Sequence, residues 1–325
     1  WGYKIEHWHE LDGRQYRGWK YVEDSIIHWV EEYHVDGYRF DYVDGIGWDG
    51  DFNGASYYAN ILDNHDPSLI LIAETDNPYQ MNNTDFDSGW DYSYHHNMFD
   101  NVLDIYFDLN TVSNHINAYS QGYSFVTGPI NYTESHDETR LIYQATEFQN
   151  QSFQEAYNRS KLSATILFTS HGVPMIYAGQ ELGQCAATRD SGGYPVQQPI
   201  QWDNLEVDLV QDLNNHYKKM IDLRKNTSVL KEPPLEIKYL DNNYKCFIYW
   251  RADQNEKVVV AINFDTIEKF LDLEFPHSGD WTDVVSNSQI SIDSNWYGGF
   301  NLAPLTSYVF VPSALLYQVI FQYLQ

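Results

Sequence analysis

The chain has 325 residues, 43% of them hydrophobic and 16% aromatic, a composition that excludes a disordered chain and suffices for one large domain plus one small one. Nineteen basic against 46 acidic residues give a formal net charge of −27, which argues against nucleic-acid binding and against a peripheral membrane role. No stretch approaches the ~18 consecutive apolar residues of a spanning helix. The chain opens on Trp1-Gly2-Tyr3-Lys4, with no initiator Met and no leader pattern, and reads as a processed or excised piece. Two cysteines, Cys185 and Cys246, are too few for a disulfide framework or a thiolate metal site.

From residue 25 onward, helix-like and strand-like stretches alternate. Residues 25–34 set Ile26, Ile27, Trp29, Val30 and Tyr33 on one face of a helix. Residues 35–41 (Val-Asp-Gly-Tyr-Arg-Phe-Asp) are short and strand-like, with the turn residue Gly45 soon after. Residues 55–63 read as helical, and 69–73 (Leu-Ile-Leu-Ile-Ala) form an apolar run suited to a strand buried on both faces. Further strands are expected at 92–94, 129–133 and 173–177, and helices at 98–109, 153–169 and 205–223. Repeated strand–loop–helix units with carboxylates at strand ends point to a parallel α/β architecture.

The period changes after Pro233-Pro234. Residues 245–251, 257–263, 270–275, 281–285 and 307–311 are short, closely spaced strands separated by turn residues, and read as an antiparallel β domain. The expected division is thus 1–230, 231–312, and an apolar tail 313–325 that follows a chain already finished at Pro312. That tail reads as a docked segment or a non-native extension.

Three expected strand ends present carboxylates: Asp41, Glu74 and Asp137. In parallel βα folds the catalytic groups collect at the C-terminal ends of strands, where the βα loops open. Arg39 stands two residues before the first acid, on the same strand face, where its cation keeps Asp41 ionised. His136 adjoins the last. Glycosidic bond cleavage needs such a kit. One carboxylate attacks the anomeric carbon, a second in its protonated form serves the leaving oxygen, and a third charge stabilises the oxocarbenium-like centre.

Asp36-Gly-Tyr-Arg-Phe-Asp41, Ile72-Ala-Glu74 and Ser135-His-Asp137 resemble three signature regions of the α-amylase superfamily of glycoside hydrolases, in the family's order. The gaps between the acids, 33 and 63 residues, are of the family's size. Gly172-Val-Pro-Met-Ile-Tyr-Ala-Gly-Gln-Glu-Leu-Gly183 is similar to the last barrel strand and its loop, and Pro199-Ile-Gln-Trp202 to the segment that follows. The resemblance covers roughly residues 20 to 312 and implies a (β/α)8 TIM-type barrel followed by a small antiparallel β-sandwich. It makes Asp41 the nucleophile, Glu74 the general acid/base and Asp137 the transition-state stabiliser, with Arg39 and His136 holding the nucleophile and the −1 sugar. The implied activity is α-amylase-type hydrolysis of α-1,4-linked glucan with retention, the two carboxyls of Asp41 and Glu74 lying about 5–5.5 Å apart.

The sequence also departs from the family pattern. The first signature region and the first three strands have no counterpart here, so residues 25–178 hold strands four to eight. Five strands would leave two open edges, and the chain by itself is expected to be inactive or nearly so on starch and to self-associate through those edges. In many relatives a His or Lys follows the nucleophile at the positions held here by Asp44 and Gly45, which sets the chain apart from the animal-type amylase pattern. No cofactor is demanded by these residues; Ca2+ is the ion that the resemblance admits. Branching or debranching enzymes with the same three acids, and a non-catalytic amylase-fold subunit, are the rival readings.

His7-Trp-His9-Glu10 and His95-His96 carry metal-ligand atoms but no third and fourth ligand at defined spacing, and are read as surface or cleft histidines, with no metal assigned. Of the sequons at Asn82, Asn131, Asn150, Asn158 and Asn226, Asn131 falls in an expected buried strand and is unsuited to glycosylation. Twenty-seven Tyr and ten Trp suit a sugar-binding cleft, with Trp48, Tyr79 and Trp90 as stacking rings on loops after strands. An acidic, Lys-poor surface and a polysaccharide substrate favour a secreted or extracellular location.

Overall fold

The structure, a computed structural model, describes residues 17–46, 54–191 and 196–314, in two compact units. The first unit runs to Asp91 and includes residues 122–130. Helix Arg17–Tyr33 leads into strand β1 (Gly37–Phe40), helix Ala55–His65 into β2 (Ile70–Ala73), and helix Pro78–Asn82 into β3 (Ser88–Trp90). Strand β4 (Pro129–Asn131) follows after an excursion into the second unit. β1 pairs with β2, β2 with β3, and β3 with β4, all in parallel. Parallel neighbours need a crossover of a dozen or more residues, and the helices supply it.

Gly37 is dictated by close approach. It pairs with Ile70, and a Cβ built there would lie 2.0 Å from the Ile70 carbonyl oxygen, so only glycine lets the two backbones meet. The expectation that residues 69–73 are buried on both faces is corrected: Leu71 and Ala73 are fully buried while Ile70 is 57% exposed. Alternation along the strand puts these residues on opposite faces.

Residues 92–94 are not a strand. The last ladder bond is Asp91 N–H to Ile130 O, and helix Tyr92–Leu103 begins directly after it, burying Tyr94, Met98 and Val102 at i, i+4 and i+8. That helix stops at Leu103 instead of running to 109. Asp104 takes a left-handed φ of 61°, and Asp108 caps a separate helix, Leu109–His115, by accepting the Asn110 N–H at 3.0 Å.

The second unit holds residues 92–121 and everything from Asn131 onward. Strand β5 (Val173–Pro174) is shorter than the expected 173–177; Pro174 has no N–H to give, and the Met175 N–H donates to Asn131 O at the end of β4 at 2.8 Å. Helix Phe153–Thr169 starts at a capping box, Ser152 accepting the Glu155 N–H while the Glu155 carboxylate accepts the Ser152 N–H. Together with helix Asp208–Asn226 it shares one core with Phe247, Tyr249, Val258, Val260, Ile262, Val309 and Val311 of the antiparallel strands. The hydrophobic core therefore does not stop at the double proline.

Eight strands follow: β6 (Glu236–Asp241), β7 (Cys246–Ala252), β8 (Lys257–Asn263), β9 (Lys269–Glu274), β10 (Gly279–Asp283), β11 (Gln289–Ile292), β12 (Trp296–Leu302) and β13 (Thr306–Pro312). Six of them form an antiparallel sheet in the order β11-β10-β13-β8-β7-β6, and β12 pairs with β9. Along β7 the alternation is plain: Phe247 and Tyr249 face the helices, while Cys246, Ile248 and Trp250 enter a second core with Leu273, Phe275, Trp281 and Phe310. Strands β6, β11 and β12 are absent from the reading of the sequence. β12 carries Gly298-Gly299 and a register irregularity, and β6 is irregular between Ile237 and Tyr239, so neither shows a clean alternation.

Buried polar groups tie this unit together. The guanidinium of Arg251, fully buried on β7, donates to the carbonyls of Pro234, Thr169, Val229 and Glu232 at 2.6–3.0 Å. The Asn131 amide donates to His171 O at 2.8 Å, so that sequon sits in the core as expected. His171 is fixed as a neutral tautomer. Its Nε2–H donates to Pro233 O at 2.9 Å and its Nδ1 accepts the Ala118 N–H at 3.3 Å, leaving no lone pair for a second proton. Burial, with the nearby Arg251 charge, pushes its pKa down to about 4.

A folded-state pKa below the unfolded value of about 6.5 means that the unfolded chain binds more protons in between, so stability falls as the pH drops from about 6.5 towards 4. Urea unfolding at pH 7 and pH 4.5 should show this loss. His171→Gln should be less stable at pH 7 and should lose less over the same range; an equal acid slope in both proteins would overturn the assignment.

Candidate active site

In the first unit, register sets the geometry. Phe40 lies opposite Ala73 in the parallel β1–β2 pair, so the next residues, Asp41 and Glu74, leave the two strands at the same level. The Arg39 guanidinium bridges them, Nη1 to Asp41 Oδ1 at 2.7 Å and Nη2 to Glu74 Oε2 at 3.1 Å. The guanidinium carbon lies 4.0 Å from the centre of the Trp90 ring, so the fork is held from its face as well as its edge. The chain then turns through Tyr42, whose φ of 42° is left-handed, and delivers the Tyr42 N–H to Glu74 Oε2 at 2.5 Å. A bulky residue in that region is strained, and strain of this kind gathers at functional sites.

The two carboxylates are placed differently. The Asp41 side chain is 71% exposed and Glu74 only 15%. Asp41 stands open to an approaching reactant, whereas Glu74 is enclosed and bonded by Arg39 and a backbone amide.

In the second unit, the loop after β4 carries Ser135-His-Asp137. The Ser135 hydroxyl accepts the Asp137 N–H at 3.2 Å. Asp137 Oδ2 lies 3.1 Å from His136 Nε2, and Oδ1 accepts from Arg189 Nη2 at 2.7 Å. The loop is anchored by a buried pair. Glu134 accepts from Arg140 Nη1 at 3.1 Å and from the Leu141 N–H at 2.9 Å, and Arg140 also donates to Gln198 Oε1 and to Ala178 O, both at 2.8 Å. Burial raises the Glu134 pKa, and the Arg140 charge opposes that rise.

His95 and His96 differ from the expected pair of surface or cleft histidines. His96 is exposed, but His95 is buried at 3%. Its Nδ1 lies 3.1 Å from Thr133 O and its Nε2 3.3 Å from Glu138 Oε2, a contact that holds the Glu138 carboxyl below the usual range. His95, His96 and Glu138 each bring one ligand atom within 4.8 Å of the others. Two imidazoles and one carboxylate suit a zinc-class ion better than the all-oxygen shell of Ca2+.

Of the aromatic residues expected to stack on sugar, Trp90 requires correction. It ends β3 rather than lying on a loop, it is buried, and its face is covered by Arg39. Tyr79, on the short helix after β2, is 71% exposed. Trp48, His7, His9 and Glu10 lie outside the described residues. Reading the sequence missed Arg189, Glu138 and the Glu134–Arg140 anchor. The last three flank the Ser-His-Asp motif and could have been noticed there, whereas nothing around Arg189 marks it.

Comparison with known proteins gives the family. The family model "Alpha amylase, catalytic domain" matches residues 7–208, and "Alpha amylase, C-terminal all-beta domain" matches residues 237–312. A 1,4-alpha-glucan branching enzyme GlgB from Prochlorococcus marinus (strain AS9601) is 26% identical over 85% of this chain and 40% of its own length. A cyclomaltodextrinase from a Bacillus species is 22% identical over 76% of this chain and 42% of its own. The crystal structure of an α-amylase from Geobacillus thermoleovorans, complexed with acarbose, superposes with a TM-score of 0.73 at 18% identity, over 93% of this chain and 65% of that one. The chain thus spans about 40% of the length of the curated relatives it matches. With both family models matched along the chain, and its parallel strands followed by an antiparallel β domain, the protein belongs to the α-amylase family of glycosidases.

Proposed function

We propose that this chain carries the catalytic residues of a retaining hydrolase of α-1,4-linked glucan. The observation that carries this reading is the Arg39 guanidinium bridging Asp41 and Glu74 at the ends of two adjacent parallel strands. Asp41, the more exposed acid, attacks the anomeric carbon and forms the glycosyl-enzyme ester. Glu74 gives its proton to the leaving oxygen and then takes one from the water that hydrolyses the ester. Asp137 stabilises the oxocarbenium-like transition state, a role carried over from the family's Ser-His-Asp pattern, and Tyr79 offers a ring to the sugar. Arg39 holds the Asp41 carboxyl in place, 2.7 Å from its Nη1.

In a form extended to the length of the curated relatives, Asp41→Asn, Glu74→Gln and Asp137→Asn should each lower kcat on a soluble α-glucan by about 10²–10⁴-fold or more. A variant that kept wild-type turnover would lose its role. An activated fluoroglucoside should trap as an ester on Asp41, seen by peptide mass spectrometry, and no adduct on that peptide would defeat the retaining mechanism. Arg39→Lys replaces a fork that reaches two carboxylates by a single point donor, and should cost at least about tenfold in kcat while circular dichroism stays unchanged.

A second reading is transfer rather than hydrolysis, supported by the branching-enzyme relative that matches 85% of this chain. Hydrolysis and transfer share the ester and differ in the acceptor. Amylose incubated with the protein should yield short maltooligosaccharides if water is the acceptor; new α-1,6 branches would favour the second reading.

A further inference from the structure

We propose that His95, His96 and Glu138 form a binding site for a divalent transition metal of the zinc class. The argument starts from the ring of His95. A carbonyl oxygen only accepts, so Nδ1, at 3.1 Å from Thr133 O, carries the hydrogen. In the neutral ring Nε2 is then a lone pair, yet it faces the Glu138 carboxylate at 3.3 Å. Two electron-rich atoms at that distance need a positive charge between them, either a proton or a metal ion.

Three features favour the metal. A tetrahedral zinc with bonds of about 2.0–2.2 Å places its ligand atoms about 3.4 Å apart, close to the 3.3 Å Nε2–Oε2 separation. His95 already has the outer contacts of a ligating histidine. Its other nitrogen donates to a backbone carbonyl, and its ring stacks on Tyr132 with centroids 5.4 Å apart and planes 14° from parallel, which fixes the direction of Nε2. A third ligand is within reach, because His96 brings a ring nitrogen within 4.8 Å of both other atoms from an exposed position where its ring can turn. Three protein ligands leave the fourth position to water.

The test is a titration of the purified whole chain with Zn2+ by calorimetry, and with Co2+ followed by its visible absorption. The expected result is about one Zn2+ bound per chain, intense four-coordinate Co2+ bands, and at least about a tenfold loss of affinity in both His96→Ala and Glu138→Gln. His7→Ala/His9→Ala should bind as the parent does. Both site variants should keep the parent's circular dichroism, since His96 is exposed and Gln matches Glu in size. The absence of Zn2+ binding would overturn the proposal and leave His95 as an imidazolium paired with Glu138. Binding that survives both site variants, or that is lost in the His7/His9 variant, would overturn it as well.

Discussion

Parallel pairing of β1 with β2 is the constraint from which the carboxylate pair follows. In a parallel ladder residues at matched register leave their strands on the same side and at the same level, so the Phe40–Ala73 pairing brings out Asp41 and Glu74 together. Gly37 makes that register possible at the other end of the strand, where any side chain would strike the Ile70 carbonyl. The Asp-Gly-Tyr-Arg-Phe-Asp segment is thus one mechanical unit. Its glycine admits the neighbouring strand, its arginine bridges two acids, and its last residue is one of those acids.

Two carboxyl groups are brought out side by side, and the Arg39 fork bridges both. Its position is fixed in turn by the Trp90 ring at the end of β3. A tryptophan that composition alone suggests as a sugar platform is instead the wall against which the bridging cation rests. The left-handed turn at Tyr42 completes the arrangement by aiming a backbone amide at the enclosed acid, at a strain cost of about 1–3 kcal/mol that the surrounding contacts must offset.

The second unit is organised by buried cations bonded to carbonyls and carboxylates. Arg140 and Glu134 clamp the loop that carries His136 and Asp137, and Arg251 gathers four carbonyls from the double-proline region and the end of helix Phe153–Thr169. Breaking such a pair leaves an uncompensated buried charge and costs about 3–5 kcal/mol, so these contacts select one loop conformation strongly even where their net stabilisation is small. His95 belongs to the same pattern: a buried polar ring oriented by a carbonyl and an aromatic face, with a carboxylate in front of it.

Local order carried a great deal of this. The helix at 153–169, most of the helices expected at 25–34 and 205–223, the strands β1, β2, β7, β8 and β13, and Asp41 and Glu74 just past apolar strands could be read from the sequence, because periodicity and strand-end chemistry are properties of neighbouring residues; the expected helix at 25–34 begins earlier, at Arg17. Tertiary structure decided what depends on distant partners. Residues 92–94 became helix because the ladder closes at Asp91, and β6 and β12 formed on irregular edges that show no alternation. Arg189 reached Asp137 from 52 positions away, and Glu138 turned a pair of histidines into a three-ligand cluster. Trp90 and Arg39 met across three parallel strands. A contact between residues far apart in sequence has no period and no fixed spacing, so only the folded chain could assign it.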